Sequence, residues 1–212
     1  MQYSGMPMGM WILFRKSFRT GLVAVFGYSE ADAVRIATSA KAKYKKIIGS
    51  LPEFEKADRF KVNIVSCAML SAFLLSMEKK PDVDCVADYY SRAMMIKPMQ
   101  WFCRMEGRKK FGKRDVLGMQ KTAALNAADK NPYSWNMEYL PYPDGSGYEA
   151  RFTKCGICTL MKELGLFAYV PAMCRLDYTM AEAGGYAFLR EHTLASGGPC
   201  CDCGYKKKER SK

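Results

Sequence analysis

Six of the nine cysteines fall between residues 155 and 203, and the only histidine, His192, lies among them. Cys155 and Cys158 form CGIC, Cys174 stands three residues before Asp177 in MCRLDY, and Cys200, Cys201 and Cys203 crowd into CCDC. Thiols with neighbouring carboxylates and an imidazole can ligate a soft metal, exchange disulfides or activate water. Two Cys-x-x-Cys elements a moderate loop apart would mark a zinc ribbon, but CCDC lacks that spacing. A strand over it sends Cys201 and Cys203 to one face and Cys200 to the other, so at most two of the three share a site. CGIC at a strand-to-helix junction suits a thioredoxin-type thiol, yet the βαβ unit of that fold does not precede it. On a helix, Cys174 and Asp177 share a face; the alternative is a buried thiol beside an Asp177–Arg175 pair.

These residues need elements to hold them, and the hydrophobic period supplies two kinds. The first 130 residues read as helices. Apolar residues at 11, 14, 18, 22, 25 and 26 keep one face and stop at Gly27. Ser29 with Asp32 is an N-cap with an acidic first turn, opening a helix that runs through Ile48. The stretch 58–77 is apolar nearly all round and is expected to be the buried central helix. Asp82 or Asp84 caps a fourth helix, Pro98 suits the first turn of a fifth, and 113–130 makes a sixth before NPY. The period then changes. SWNMEYLPY and GYEARFTKC flank the turn-rich PDGSG and predict two antiparallel strands. A short helix, ICTLMKELGL, and a longer one, VPAMCRLDYTMAEAGG, follow, and YAFLREHTLAS and CCDCGYKK predict two more strands around GGP. The layout is α+β, a helical first half followed by a small antiparallel sheet in the order β-β-α-α-β-β and packed against helices. One domain over 1–212 is expected, with a helical portion 1–130, an α+β portion 131–206 and a basic tail 207–212. On the strand 186–196, His192 alternates with Arg190 and Leu194, and the alternation leaves open which face it takes.

The 212 residues carry a formal net charge of +12, 49% hydrophobic and 25% charged residues, a composition that folds. Much of the excess charge is local, in RMEGRKKFGKRD (104–115) and KKKERSK (206–212), and reads as solvated surface. Nucleic acid therefore ranks last among partners, since no finger spacing or aromatic-basic segment accompanies these runs. MGMWILF is too short for an export signal, and no apolar run reaches membrane length, so a cytoplasmic location without a membrane partner and with reduced thiols is expected. A small-molecule substrate is the expected partner; an assembly of like chains is left open.

RFTKC, then PAMCRLDYTMAEAGG, then REHTLASGGPCCD resembles the L-2-amino-thiazoline-4-carboxylic acid hydrolase family over roughly residues 135 to 205, with NPYSWNMEYLP and the helix around Asn63 compatible upstream. This chain has Cys203 where the family ends Cys-Asp-Phe, and Gly156 where Pro often follows the first cysteine. The resemblance implies a hydrolase in which water attacks the amidine-like carbon of a 2-amino-thiazoline ring and the ring sulfur leaves. Such a site needs a base or metal for the water, a donor for the sulfur and a cation for the substrate carboxylate. It points to Cys174, Asp177, His192, Cys201 and Asp202 as catalytic, and to Arg175 or Arg190 as the carboxylate partner. A more distant similarity, to the 4-vinyl reductase type ligand-binding domain, implies zinc or another divalent metal on Cys155, Cys174 and Cys201. The positions matching that domain's remaining ligands hold Arg190 and Thr193, so its full site is absent. The rival reading is a non-enzymatic small-molecule sensor with a cysteine-held structural metal.

Overall fold

The computed structural model describes residues 1–55 and 58–208; the last four residues of the expected basic tail lie outside the described residues. The chain is helical in its first half and carries a small antiparallel sheet in its second, the α+β class read from the sequence. It forms two compact units, Met1–Ile96 with Ile157–Leu176, and Lys97–Gly156 with the chain from Asp177 onward.

In the first unit, α1 (Met6–Phe26) buries Met10, Trp11, Phe14, Phe18 and Leu22, a three-and-four spacing that defines one face. Gly27, at φ 70, takes the left-handed conformation that ends the helix, a position where a side chain would be strained. Ser29 caps α2 (Glu30–Ser50) by accepting the Asp32 N–H at 3.1 Å, as the spacing predicts. Every residue from Ile64 to Leu74 of α3 (Lys61–Leu74) is buried, so this is the central helix. Asp82 caps α4 (Val83–Met94). Trp11 stacks between Tyr44 and Phe73, and Phe18 packs on Phe73 and Tyr89, so α1 is joined to α2, α3 and α4 through rings. The buried phenols keep partners: Tyr44 donates to the Pro7 carbonyl at 2.9 Å and Tyr89 to that of Phe18 at 3.1 Å. Burial raises both of their pKa values.

The second unit contains α5 (Lys97–Lys109), α6 (Lys113–Ala128), β1 (Asn136–Pro141), β2 (Gly147–Lys154), β3 (Tyr186–Leu189) and β4 (Cys201–Lys207), the sheet order being β1-β2-β4-β3 with antiparallel pairs throughout. α7 (Gly156–Glu163) belongs almost wholly to the first unit, and α8 (Val170–Gly184) is divided between the two after Leu176. On β2, Tyr148, Ala150 and Phe152 are buried in alternation, and across the ladder they face Tyr205, Cys203 and Cys201. One face of the sheet is thus apolar and aromatic, and two of the CCDC thiols belong to it. Lys110 reaches over this face: its ammonium lies 3.9 Å from the Tyr205 ring centroid and 4.8 Å from that of Tyr186, and donates to the Tyr148 hydroxyl at 3.0 Å. Gly107 is needed for close approach, since a Cβ there would fall 1.9 Å from the Gly184 carbonyl oxygen.

The strand expected over 186–196 is shorter: β3 ends at Leu189. The amides beyond it turn to side-chain acceptors on β4 in place of a ladder, and Thr193 caps a 3-10 turn at Leu194–Ser196 closed by Gly197 at φ 81. His192 therefore lies on a loop, and strand alternation does not decide where it faces.

Candidate active site on the loop after strand β3

Adjacent residues of β4 fasten this loop from opposite faces. Asp202 accepts the His192 backbone N–H at 2.7 Å and that of Glu191 at 3.2 Å, while the buried Cys201 thiol accepts the Leu194 N–H at 3.2 Å. The other Asp202 oxygen lies 3.3 Å from His192 Nδ1. Burial pushes the Asp202 carboxyl up, but the hydrogen bonds from His192 and Glu191 outweigh it and hold the net pKa below the ordinary value. An ionised Asp202 favours the tautomer with the proton on Nδ1, which leaves Nε2 as the free base. The imidazole is 52% exposed, so that nitrogen can meet a substrate.

On the other face, the Arg190 side chain is only 5% exposed, and its Nη1 donates to Asp177 Oδ2 at 2.7 Å. The guanidinium lies over the Tyr178 and Phe188 rings, at 5.3 and 5.0 Å. It also hydrogen-bonds the Cys203 thiol. Asp177 keeps 46% of its side-chain exposure. Burial raises its pKa and Arg190 opposes the rise, with burial winning. Burial likewise pushes the Cys201 and Cys203 thiols up, so both are protonated at neutral pH. They are proton donors and packing groups there, not nucleophilic thiolates.

The second unit thus brings together Asp177, Arg190, Cys201 and Cys203 on one face of the sheet, with His192, Asp202 and Glu191 fixed at the end of β4. Cys155, half-buried just past β2, is near enough to interact electrostatically with Cys201. Cys174 and Arg175 lie on the part of α8 that belongs to the first unit, where Arg175 pairs with the exposed Asp84. Arg190 is already engaged with Asp177. Two members of the cluster were not among the sequence candidates. Cys203 shares the Cys201 face, as the alternation of CCDC indicated, and could have been found that way. Glu191 had no such signal, because a regular strand would turn it away from His192.

Among the described residues, Glu191, His192 and Asp202 offer one nitrogen and two carboxylate oxygens within 4.8 Å of one another, a donor set that zinc or another divalent cation accepts. No helix among the described residues is long and apolar enough to cross a membrane.

The second unit thus gathers a histidine beside an ionised carboxylate, two buried thiols and a buried guanidinium paired with a half-exposed carboxylate. The model of the family of L-2-amino-thiazoline-4-carboxylic acid hydrolases matches residues 62–205. This is well over half of the chain, which belongs to that family. No curated protein and no solved structure matches it.

Proposed function

We propose that the chain hydrolyses a 2-amino-thiazoline carboxylate or a closely related small cyclic amidine, with His192 as general base. The observation that carries this reading is the His192–Asp202 pair, whose carboxylate is locked by two backbone amides and leaves Nε2 free and exposed. In the reaction, Nε2 takes a proton from water as its oxygen bonds to the ring carbon between nitrogen and sulfur. The carbon–sulfur bond then breaks, the sulfur leaves with a proton, and the former amidine carbon becomes the carbonyl of an N-carbamoyl-cysteine type product. Water is the only co-reactant, so atoms balance. Asp177, partly exposed and aimed by Arg190, accepts hydrogen bonds from the substrate amidine N–H groups, which gain positive character as the ring is attacked. Cys201 and Cys203, buried on the opposite face, back the site by holding the loop amide of Leu194 and the Arg190 guanidinium in place.

The test is release of small-molecule thiol from a 2-amino-thiazoline-4-carboxylate, read with a chromogenic thiol reagent after removal of protein. His192→Gln and Asp202→Asn should each lower kcat by about 100-fold or more, the usual contribution of a positioned base. Full activity of both variants would remove His192 from the mechanism.

A metal-assisted version has its own support in the Glu191, His192 and Asp202 donors, which would hold a divalent cation whose chemistry is to lower the pKa of a bound water. The soft-metal set Cys155, Cys174 and Cys201 rests on the resemblance alone. Elemental analysis of the purified protein separates these readings. Stoichiometric zinc without thiazoline turnover would place the chain with non-enzymatic binding or sensor proteins.

A further inference from the structure

Helices α1 and α2 of the first unit enclose a groove of about 530 Å³, within the size range of small-molecule sites. Trp11, Arg15 and Arg19 recur every four residues along α1 and so share one face, with Lys16 beside them; Thr38 and Lys41 face them from α2. Four cations line this groove and no acidic residue does. Among the described residues, none of the four takes part in an ion pair, although Arg35, only a turn away on α2, is paired with Asp32.

A second observation is independent of the charge. The indole N–H of Trp11 is buried, in a residue only 3% exposed, and has no hydrogen-bond acceptor; the Arg19 Nε–H is buried and unpartnered in the same way. Buried donors without acceptors are rare because each has given up its water. Here two of them belong to residues that line one groove. The stacking of Trp11 between Tyr44 and Phe73 fixes the indole, so it cannot swing out to find a partner. A lining made of donors and positive charge, with no competing carboxylate, is complementary to an oxyanion.

We propose that this groove is a binding site for a small-molecule oxyanion, a phosphate or carboxylate group, held by Arg15, Lys16, Arg19 and Lys41, with the Trp11 indole in the groove wall. All these residues precede residue 62, outside the stretch shared with the hydrolase family, so the site is additional to the hydrolytic one.

The test uses the full chain labelled with nitrogen-15. The indole N–H signal of Trp11, assigned by its loss in Trp11→Phe, is followed while inorganic phosphate or malonate is added at constant ionic strength. A saturable downfield shift with at least one of the two anions is expected. The double variant R15Q/K41Q, altered only at exposed side chains, should keep its helical circular dichroism and bind at least tenfold more weakly. Its thiazoline turnover should be unchanged, which separates failure here from failure of the hydrolase reading. No shift by about 10 mM of either anion, or equal binding by the double variant, overturns the proposal. So does the case in which a single-stranded oligonucleotide or vesicles containing anionic lipid move the signal while phosphate and malonate do not, since that would make the groove a polyanion surface.

Discussion

Replacing Arg190 with methionine tests a charge whose side chain is only 5% exposed. Methionine keeps an apolar stem at this position beside Tyr178 and Phe188, so the variant reports mainly on the guanidinium. The lost hydrogen bond to Asp177, at 2.7 Å and charge-assisted, is worth about 1.5–3 kcal/mol, and the two ring contacts about 0.5–1 kcal/mol each. Asp177 is left without its cation, but at 46% exposure it can recover water, so the cost stays below the upper range for a fully buried pair broken on one side. The expected loss is about 3 kcal/mol at neutral pH, which lowers Tm by roughly 6–12 °C in a chain of this size. The pH dependence follows from the Asp177 shift. Its folded pKa is raised by burial against Arg190, and removing Arg190 raises it further. The penalty is therefore largest above the folded pKa of Asp177 and shrinks as the pH falls and the carboxyl takes up its proton. Urea unfolding of wild type, R190M, D177N and the double variant, at pH 7 and near pH 4, measures both the loss and the coupling. A loss under about 1 kcal/mol, a penalty that does not change with pH, or strict additivity of the two substitutions would refute this account of the pair.

Asp202→Ala should cost about 1–2 kcal/mol at neutral pH, read by urea unfolding, because two backbone amides lose a charged acceptor at a partly wet site. The sign follows from a depressed carboxyl: the contribution is present above the unfolded pKa and is lost as pH falls through the folded one. Gly107→Ala should destabilise by about 3 kcal/mol, seen as a lowered Tm, since the new methyl meets the Gly184 backbone carbonyl and not a side chain that can move. In a native thiol titration, Cys85 should react first, while Cys67, Cys103, Cys201 and Cys203 react only on unfolding; mass mapping of the labelled sites checks the order.

Helix by helix, the first half could be read because its signals are local. Ser29 and Asp82 cap the helices they precede, and the run around Met69 is too apolar to lie anywhere but the centre. The first two strands, β1 and β2, and the turn between them were legible for the same reason. What could not be read was the end of β3. YAFLREHTLAS has an unbroken strand period, yet the amides of residues 191, 192 and 194 bond to side chains at 201 and 202. Propensity near a residue says nothing of an acceptor about ten positions on. The site inherited that gap: Cys201 and Asp202 stood out by motif, whereas their work as loop anchors and the recruitment of Glu191 emerge only once the loop is folded against β4.

Fastening one loop by two neighbouring residues of a strand gives that strand a built-in check on its alignment. If β4 slid by a single residue along β2, the thiol and the carboxylate would exchange faces. The ionised group would enter the apolar layer that Tyr148 and Phe152 line on β2, and the loop amides would lose both of their acceptors. Misaligned chains would therefore be penalised in two places at once, and His192 would be presented only by chains whose sheet had closed correctly.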